Sequence, residues 1–126
     1  MPLDWKSIIN NILAQEAISR YGARNDGTPK GLGFYGELQG IGPNSGYTMT
    51  ENSIGVNMDG RETEIPTIIP GLTEDELRLI LSGGMDEDIV RKSYEHAAKR
   101  MSKGLSPFAG PKEVIIPSPK LKSSKK

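Results

Sequence analysis

A small α+β fold is what this sequence predicts, and three stretches carry the prediction. The first is Glu51 to Pro70, ENSIGVNMDGRETEIPTIIP, where a two-residue turn signal separates two alternating segments. The second is residues 73–104, where two capped amphipathic patterns follow one another across Gly83-Gly84. The third is the pair of chain ends, one amphipathic, the other rich in Pro and Lys. Together they predict a sheet of two or three antiparallel strands packed by an αα-hairpin, with an N-terminal amphipathic helix and an extended C-terminal arm. The boundaries follow: an N-terminal helix over 1–22, a Gly/Pro-rich loop over 23–50, the core over 51–109 and a basic tail over 110–126.

The hairpin is the best-defined element. Asp59-Gly60 suits a type I′ turn, which needs positive φ at both central positions. With that turn, Met58 faces Arg61, Val56 faces Thr63 and Ile54 faces Ile65, so one face is apolar and can extend to Ile69. The other receives Ser53, Asn57, Glu62 and Glu64, a solvent face. A lone hairpin is marginal in water, so its apolar face needs a cover.

Size and composition set limits. One domain of 126 residues, 35% apolar with seven aromatics, predicts a thin core. Fifteen Gly and nine Pro predict long irregular segments. The net charge is zero, but residues 112–126 hold five Lys against one Glu, leaving −4 on the remainder. That balance argues against a nucleic-acid-binding body, so nucleic acid is not the expected main ligand. The absence of Cys excludes disulfides, thiolate chemistry and Cys-based zinc sites. No apolar run reaches the roughly 20 residues of a membrane span, and the N-terminus lacks a signal-peptide pattern.

In chain order, residues 4–21 predict a helix capped by Asp4, with a Leu3–Ile8 staple and Gly22 at its C-terminal end. Trp5, Ile8, Ile9, Ile12 and Leu13 form its stripe, whose expected role is core packing with partner docking as the alternative. Residues 23–50 show no period, and such a long loop is functional or ordered by something else. Phe34 and Tyr35 are its anchors, on the hairpin or on a neighbour, and a short strand around Gly33–Leu38 beside the hairpin is allowed. Thr73 and Glu76 predict a capping box with a Leu72–Leu77 staple, opening a helix that buries Leu77, Ile80 and Leu81. Asp86 caps the next helix, with Met85 and Val90 as staple; Ile89, Val90, Tyr94, Ala97 and Met101 are its expected apolar face. The pair is expected to lie on the hairpin sheet. Beyond Gly104, Pro107, Pro111, Pro117 and Pro119 exclude helix, and Val114-Ile115-Ile116 is a β-prone run before the basic end.

No catalytic, metal or cofactor site is predicted. Gly31-Leu-Gly33-Phe-Tyr-Gly36 matches a dinucleotide motif by letter, but it neither follows a strand nor opens a helix, so its glycines serve turns. His96 is the only histidine and has no companion for a zinc or nucleophile constellation, which makes it structural. Carboxylates are available as a pair (Glu62 and Glu64, or Glu16 and Glu51), but Glu62 and Glu64 are expected to be plainly solvated. Asp26 and Asp59 lack the oxygen-ligand spacing of a calcium loop.

Asp26-Gly-Thr-Pro-Lys-Gly-Leu-Gly-Phe34, Ser53-Ile-Gly-Val-Asn57, Asp59-Gly60, Glu64-Ile-Pro-Thr67 with Pro70, and Ser106-Pro-Phe-Ala109 give the chain a further property. Across residues 24–109 it resembles a small domain recurrent in tailed-bacteriophage and prophage genomes, usually among virion structural genes. Where such domains read Pro-Thr-Leu before the capped helix, this chain has Pro70-Gly-Leu72. The resemblance implies a minor structural protein of the virion, in the tail, the neck or the ejected set, made in the bacterial cytoplasm. Its partners would be other virion proteins and copies of itself in a symmetric assembly. The expected partner-contact residues are Trp5, Ile9 and Leu13, Phe34 and Tyr35, and Val114, Ile115 and Ile116. The alternatives are a capsid decoration protein, a host-directed protein absent from particles, or a cell-wall-acting enzyme or accessory with Glu16 or Glu62/Glu64 as acid.

Overall fold

The structure, a computed structural model, describes residues 4–9, 21–110 and 113. Its centre is the hairpin of β3 (Ser53–Met58) and β4 (Arg61–Pro66), preceded by a smaller antiparallel pair, β1 (Leu38–Gln39) with β2 (Thr48–Met49). Helices α1 (Glu74–Leu81) and α2 (Glu87–Ser102) follow, so the class is α+β with small hairpin sheets. The β3–β4 register is the expected one, with Met58 opposite Arg61, Val56 opposite Thr63 and Ile54 opposite Ile65. Asp59 at φ 53° and Gly60 at φ 80° make the turn, and the Gly60 amide donates to Asn57 Oδ1 at 2.9 Å. Register and turn chemistry agree because an odd slip would reverse every side chain.

Both helix starts carry their expected caps. Thr73 and Glu76 exchange side chain for backbone amide at 3.1 and 2.9 Å, and Asp86 Oδ1 accepts from the Ile89 amide at 2.9 Å. Glu76 also joins the two helices at their N-terminal ends, because Lys92 Nζ on α2 donates to its Oε1 at 2.7 Å. The other end of α1 is closed by the loop. The Ile41 amide and Asn44 Nδ2 both donate to the Leu81 carbonyl, at 3.0 and 3.2 Å, from a 3-10 turn at Gly42–Asn44. Helix-end carbonyls have no partner within the helix, so this contact fixes the loop as much as the helix.

The core divides in two. Phe34, Ile68, Ile69, Leu72, Leu77, Ile80, Leu81 and Ile89 form the larger cluster, flanked by Tyr35, Leu38, Ile41 and Met49. Met58, Ile65 and Ala97, with Ile54, Val56 and Ala98 around them, form the smaller. Helix α2 spans both, giving Ile89 to the first and Ala97 to the second.

Several expectations need correction. The two helices do not lie together on the hairpin: α2 packs against β4, while α1 packs on residues 68–72 and is covered by the loop. The loop is therefore part of the core's wall. Its strand is Leu38–Gln39 rather than Gly33–Leu38, and it pairs within the loop instead of joining the hairpin. The inward face of α2 is the row Ile89, Ser93, Ala97, all at 0% exposure, whereas Tyr94 and Met101 are exposed. Small residues at 93 and 97 let the helix approach the sheet closely, and the Ser93 hydroxyl is satisfied by donating to the Ile89 carbonyl at 2.7 Å. Finally, the start of the tail folds back on the body: Phe108 is buried, and Glu113 is held by Arg100.

Candidate functional site

Two arginines fasten the irregular segments. Arg24 grips Glu51 with both ends of its guanidinium, at 2.9 and 2.6 Å, and the Gly31 amide adds a 3.0 Å bond to Glu51 Oε2. Glu51 is almost fully buried, so this is the costly kind of carboxylate to place, stabilised here by the fork geometry and three donors. The guanidinium carbon of Arg24 also lies 4.5 Å from the centre of the Phe108 ring.

The second clamp is Arg100. Its two terminal nitrogens donate to the Glu113 carboxylate at 2.7 and 2.9 Å, while the carbonyls of Ser106 and Phe108 accept at 2.6 and 3.0 Å. Its guanidinium lies 5.3 Å from the Phe34 ring centre, and His96 meets the same ring edge-on at 5.1 Å. The Arg100 hydrogen bonds and the Gly110 amide hold the Glu113 carboxyl down at about 2. His96 is shifted below its ordinary 6.5, first by burial and then by Arg100, and its Nδ1 is buried with no hydrogen-bond partner. The sequence carries no signal for these clamps, because nothing local pairs residue 24 with 51 or 100 with 113.

The remaining named carboxylates are also engaged, exposed or beyond the described residues. Glu64 accepts from the Ser53 hydroxyl at 2.6 Å and from the Asn25 amide at 3.2 and 3.3 Å, so the expected solvent face of the hairpin is partly covered by the 24–28 turn. Glu62 is exposed and lies across Gly55. Glu16 lies outside the described residues. The glycine motif opens no helix; residues 33–35 form a turn in which Gly33, at φ +70°, sits against the Thr50 carbonyl where a Cβ would come within 2.1 Å. Among the described residues no group of three or more His, Cys, Asp or Glu is placed to hold a metal, and no helix is long and apolar enough to cross a membrane.

The expected contact residues separate into three groups. Phe34, at 2% exposure, is in the core, and the Tyr35 hydroxyl donates to the Ile69 carbonyl at 2.6 Å. These two anchor the loop on the chain's own body, where the apolar surface of α1 needs a cover; the Phe34 ring is buried and closed to a partner, while Tyr35 is half-buried. Trp5 and Ile9, on the helical turn at 5–9 that Asp4 caps, are 63% and 52% exposed and so are not core, while Ile8 between them is half-buried. Leu13, Val114, Ile115 and Ile116 lie outside the described residues.

A surface that sequence reasoning assigned to the core is instead open. Met85, Tyr94 and Met101 are 36%, 37% and 42% exposed, with Val90 and Ala98 half-buried between them. They line two shallow concavities that meet at Tyr94. One runs along the N-terminal half of α2 between Met85, Val90 and Tyr94, edged by Asp86, Glu87, Arg91 and Glu95. The other lies between α2 and the hairpin tip, among Met58, Arg61, Thr63, Ala98 and Met101. Arranged this way, the outer face of α2 presents an apolar floor edged by charged side chains. No family model, curated protein or solved structure matches the chain.

Proposed function

We propose that this chain is a minor structural protein of a tailed-bacteriophage particle, in the tail, the neck or the ejected set, and that it works by protein–protein contact. The observation that carries the reading is the outward apolar row Val90, Tyr94 and Met101 on a helix held by Lys92 and Arg100, with Met85 just before its cap. Tyr and Met are favoured in interaction sites, and Tyr94 stands where the two concavities meet. The exposed Trp5 and Ile9 offer a second contact. The phage resemblance over residues 24–109 supplies the setting, and the engagement of Glu51, Glu64 and Glu113 by the chain's own donors fits a scaffold.

Mass spectrometry of purified particles tests this directly. The chain should be recovered at a constant ratio to the known structural proteins through density-gradient purification. Its presence in infected cells but not in gradient-purified particles would refute the proposal and favour a host-directed role.

A further inference from the structure

We infer that the groove along the outer face of α2 receives the C-terminal arm of a second copy of this chain. Val114 to Ile116 would enter its apolar floor, and the lysines beyond would meet its acidic edge. The inference rests on the reading of α2 as a docking face and names its occupant.

Charge selects the arm. The floor is Met85, Val90 and Tyr94, and the edge is Asp86, Glu87 and Glu95 against one cation, Arg91. That cation is already shared between Asp88 at 3.4 Å and Glu95 at 3.5 Å, so the edge is left acidic. Residues 114–126 begin with Val-Ile-Ile and continue with Lys120, Lys122, Lys125 and Lys126, without a single acidic residue. The other apolar candidate, the N-terminal segment, balances Asp4 and Glu16 against Lys6 and Arg20 and brings no complementary charge. Complementary potentials fix which segment docks and in which direction, while the apolar triplet supplies the desolvated contact.

Reach selects a second copy. Arg100 holds Glu113, the residue just before the triplet. Tyr94 and Val90 lie six and ten residues back along α2, about 9–15 Å along the axis and about 80–120° around it, so about 15 Å or more over the helix surface. Three extended residues span at most about 11 Å. Three residues of chain beyond the clamp therefore fall short of the groove on the same chain, which leaves the groove of a second copy.

Two full-length variants test the exchange by sedimentation velocity and light scattering. Tyr94→Glu keeps the arm and spoils the groove; Ile115→Asp keeps the groove and spoils the arm. The unaltered chain should self-associate, and each variant alone should weaken association by at least about tenfold, as for a central interface residue. An equimolar mixture should associate again, because one chain brings an intact arm and the other an intact groove. A monomeric parent chain, an Ile115→Asp chain that associates like the parent, or dissociation by Trp5→Glu but not by Ile115→Asp would each overturn the proposal. Far-UV circular dichroism confirms that both variants are folded. A parent chain that is monomeric yet enters particles, and ceases to enter them with Tyr94→Glu, overturns the arm exchange and leaves α2 as a docking face for another virion protein.

Discussion

Replacing Arg100 with Ala should free the start of the C-terminal arm, and the structure sets the size of the effect. The side chain makes four hydrogen bonds, two to Glu113 and one each to the carbonyls of Ser106 and Phe108, and is 13% exposed. Fully buried, two charge-assisted bonds would contribute about 1.5–3 kcal/mol each and two backbone bonds about 1 kcal/mol each. Glu113 is 38% exposed, so water takes up much of its loss and the ionic share shrinks toward that of a surface pair. About 2–4 kcal/mol remains, a large part of the roughly 5–15 kcal/mol that holds a small domain folded. Arg100→Lys should keep the charge but lose the fork, costing about 1–2 kcal/mol. Urea unfolding followed by circular dichroism gives these differences, and limited proteolysis should show earlier cleavage between residues 105 and 113 in Arg100→Ala. A change within about 0.5 kcal/mol, the range of an ordinary surface substitution, together with unchanged cleavage would refute the clamp.

Three further outcomes follow from the same contacts. Glu51→Gln leaves Arg24 only 18% exposed without its counter-charge and should cost about 3–5 kcal/mol by denaturant melt, the range for breaking a buried pair from one side. Gly33→Ala combines φ +70° with a Cβ placed 2.1 Å from the Thr50 carbonyl, so the turn must move, and a loss of about 2 kcal/mol or more is expected in thermal unfolding. In acid, a lowered folded-state His96 makes protonation unfavourable, so stability should fall as pH drops below 6.5. Glu113 is depressed from 4.5 to about 2, so its contribution is complete above 4.5 and should be lost as pH falls toward 2; His96→Gln should remove the first phase and leave most of the second, to which the His96 charge is a minor contributor.

Local chemistry made part of this structure legible in the sequence. The hairpin register follows from Asp59-Gly60 and the alternation on either side, and both helix caps follow from side chains within three residues of their targets. What escaped was set by pairs far apart in the chain. Nothing in the sequence joins Arg24 to Glu51 or Asn44 to Leu81, and those contacts turn an aperiodic loop into a wall of the core. The expected face of α2 mixes two adjacent rows, taking Ile89 and Ala97, which are buried, with Val90, Tyr94 and Met101, which point outward. Hydropathy gives no reason to place Ser93 inward, yet its small size and self-satisfied hydroxyl let the row Ile89-Ser93-Ala97 face the sheet. The outward apolar row of α2 became visible only once that choice was made by packing.

Quantitative mass spectrometry of particles assembled with Tyr94→Glu in place of the parent chain tests that face most directly. A variant that is folded and expressed at the parent level but missing from purified particles is the expected result. Incorporation at the parent ratio would show that the outer face of α2 plays no part in assembly.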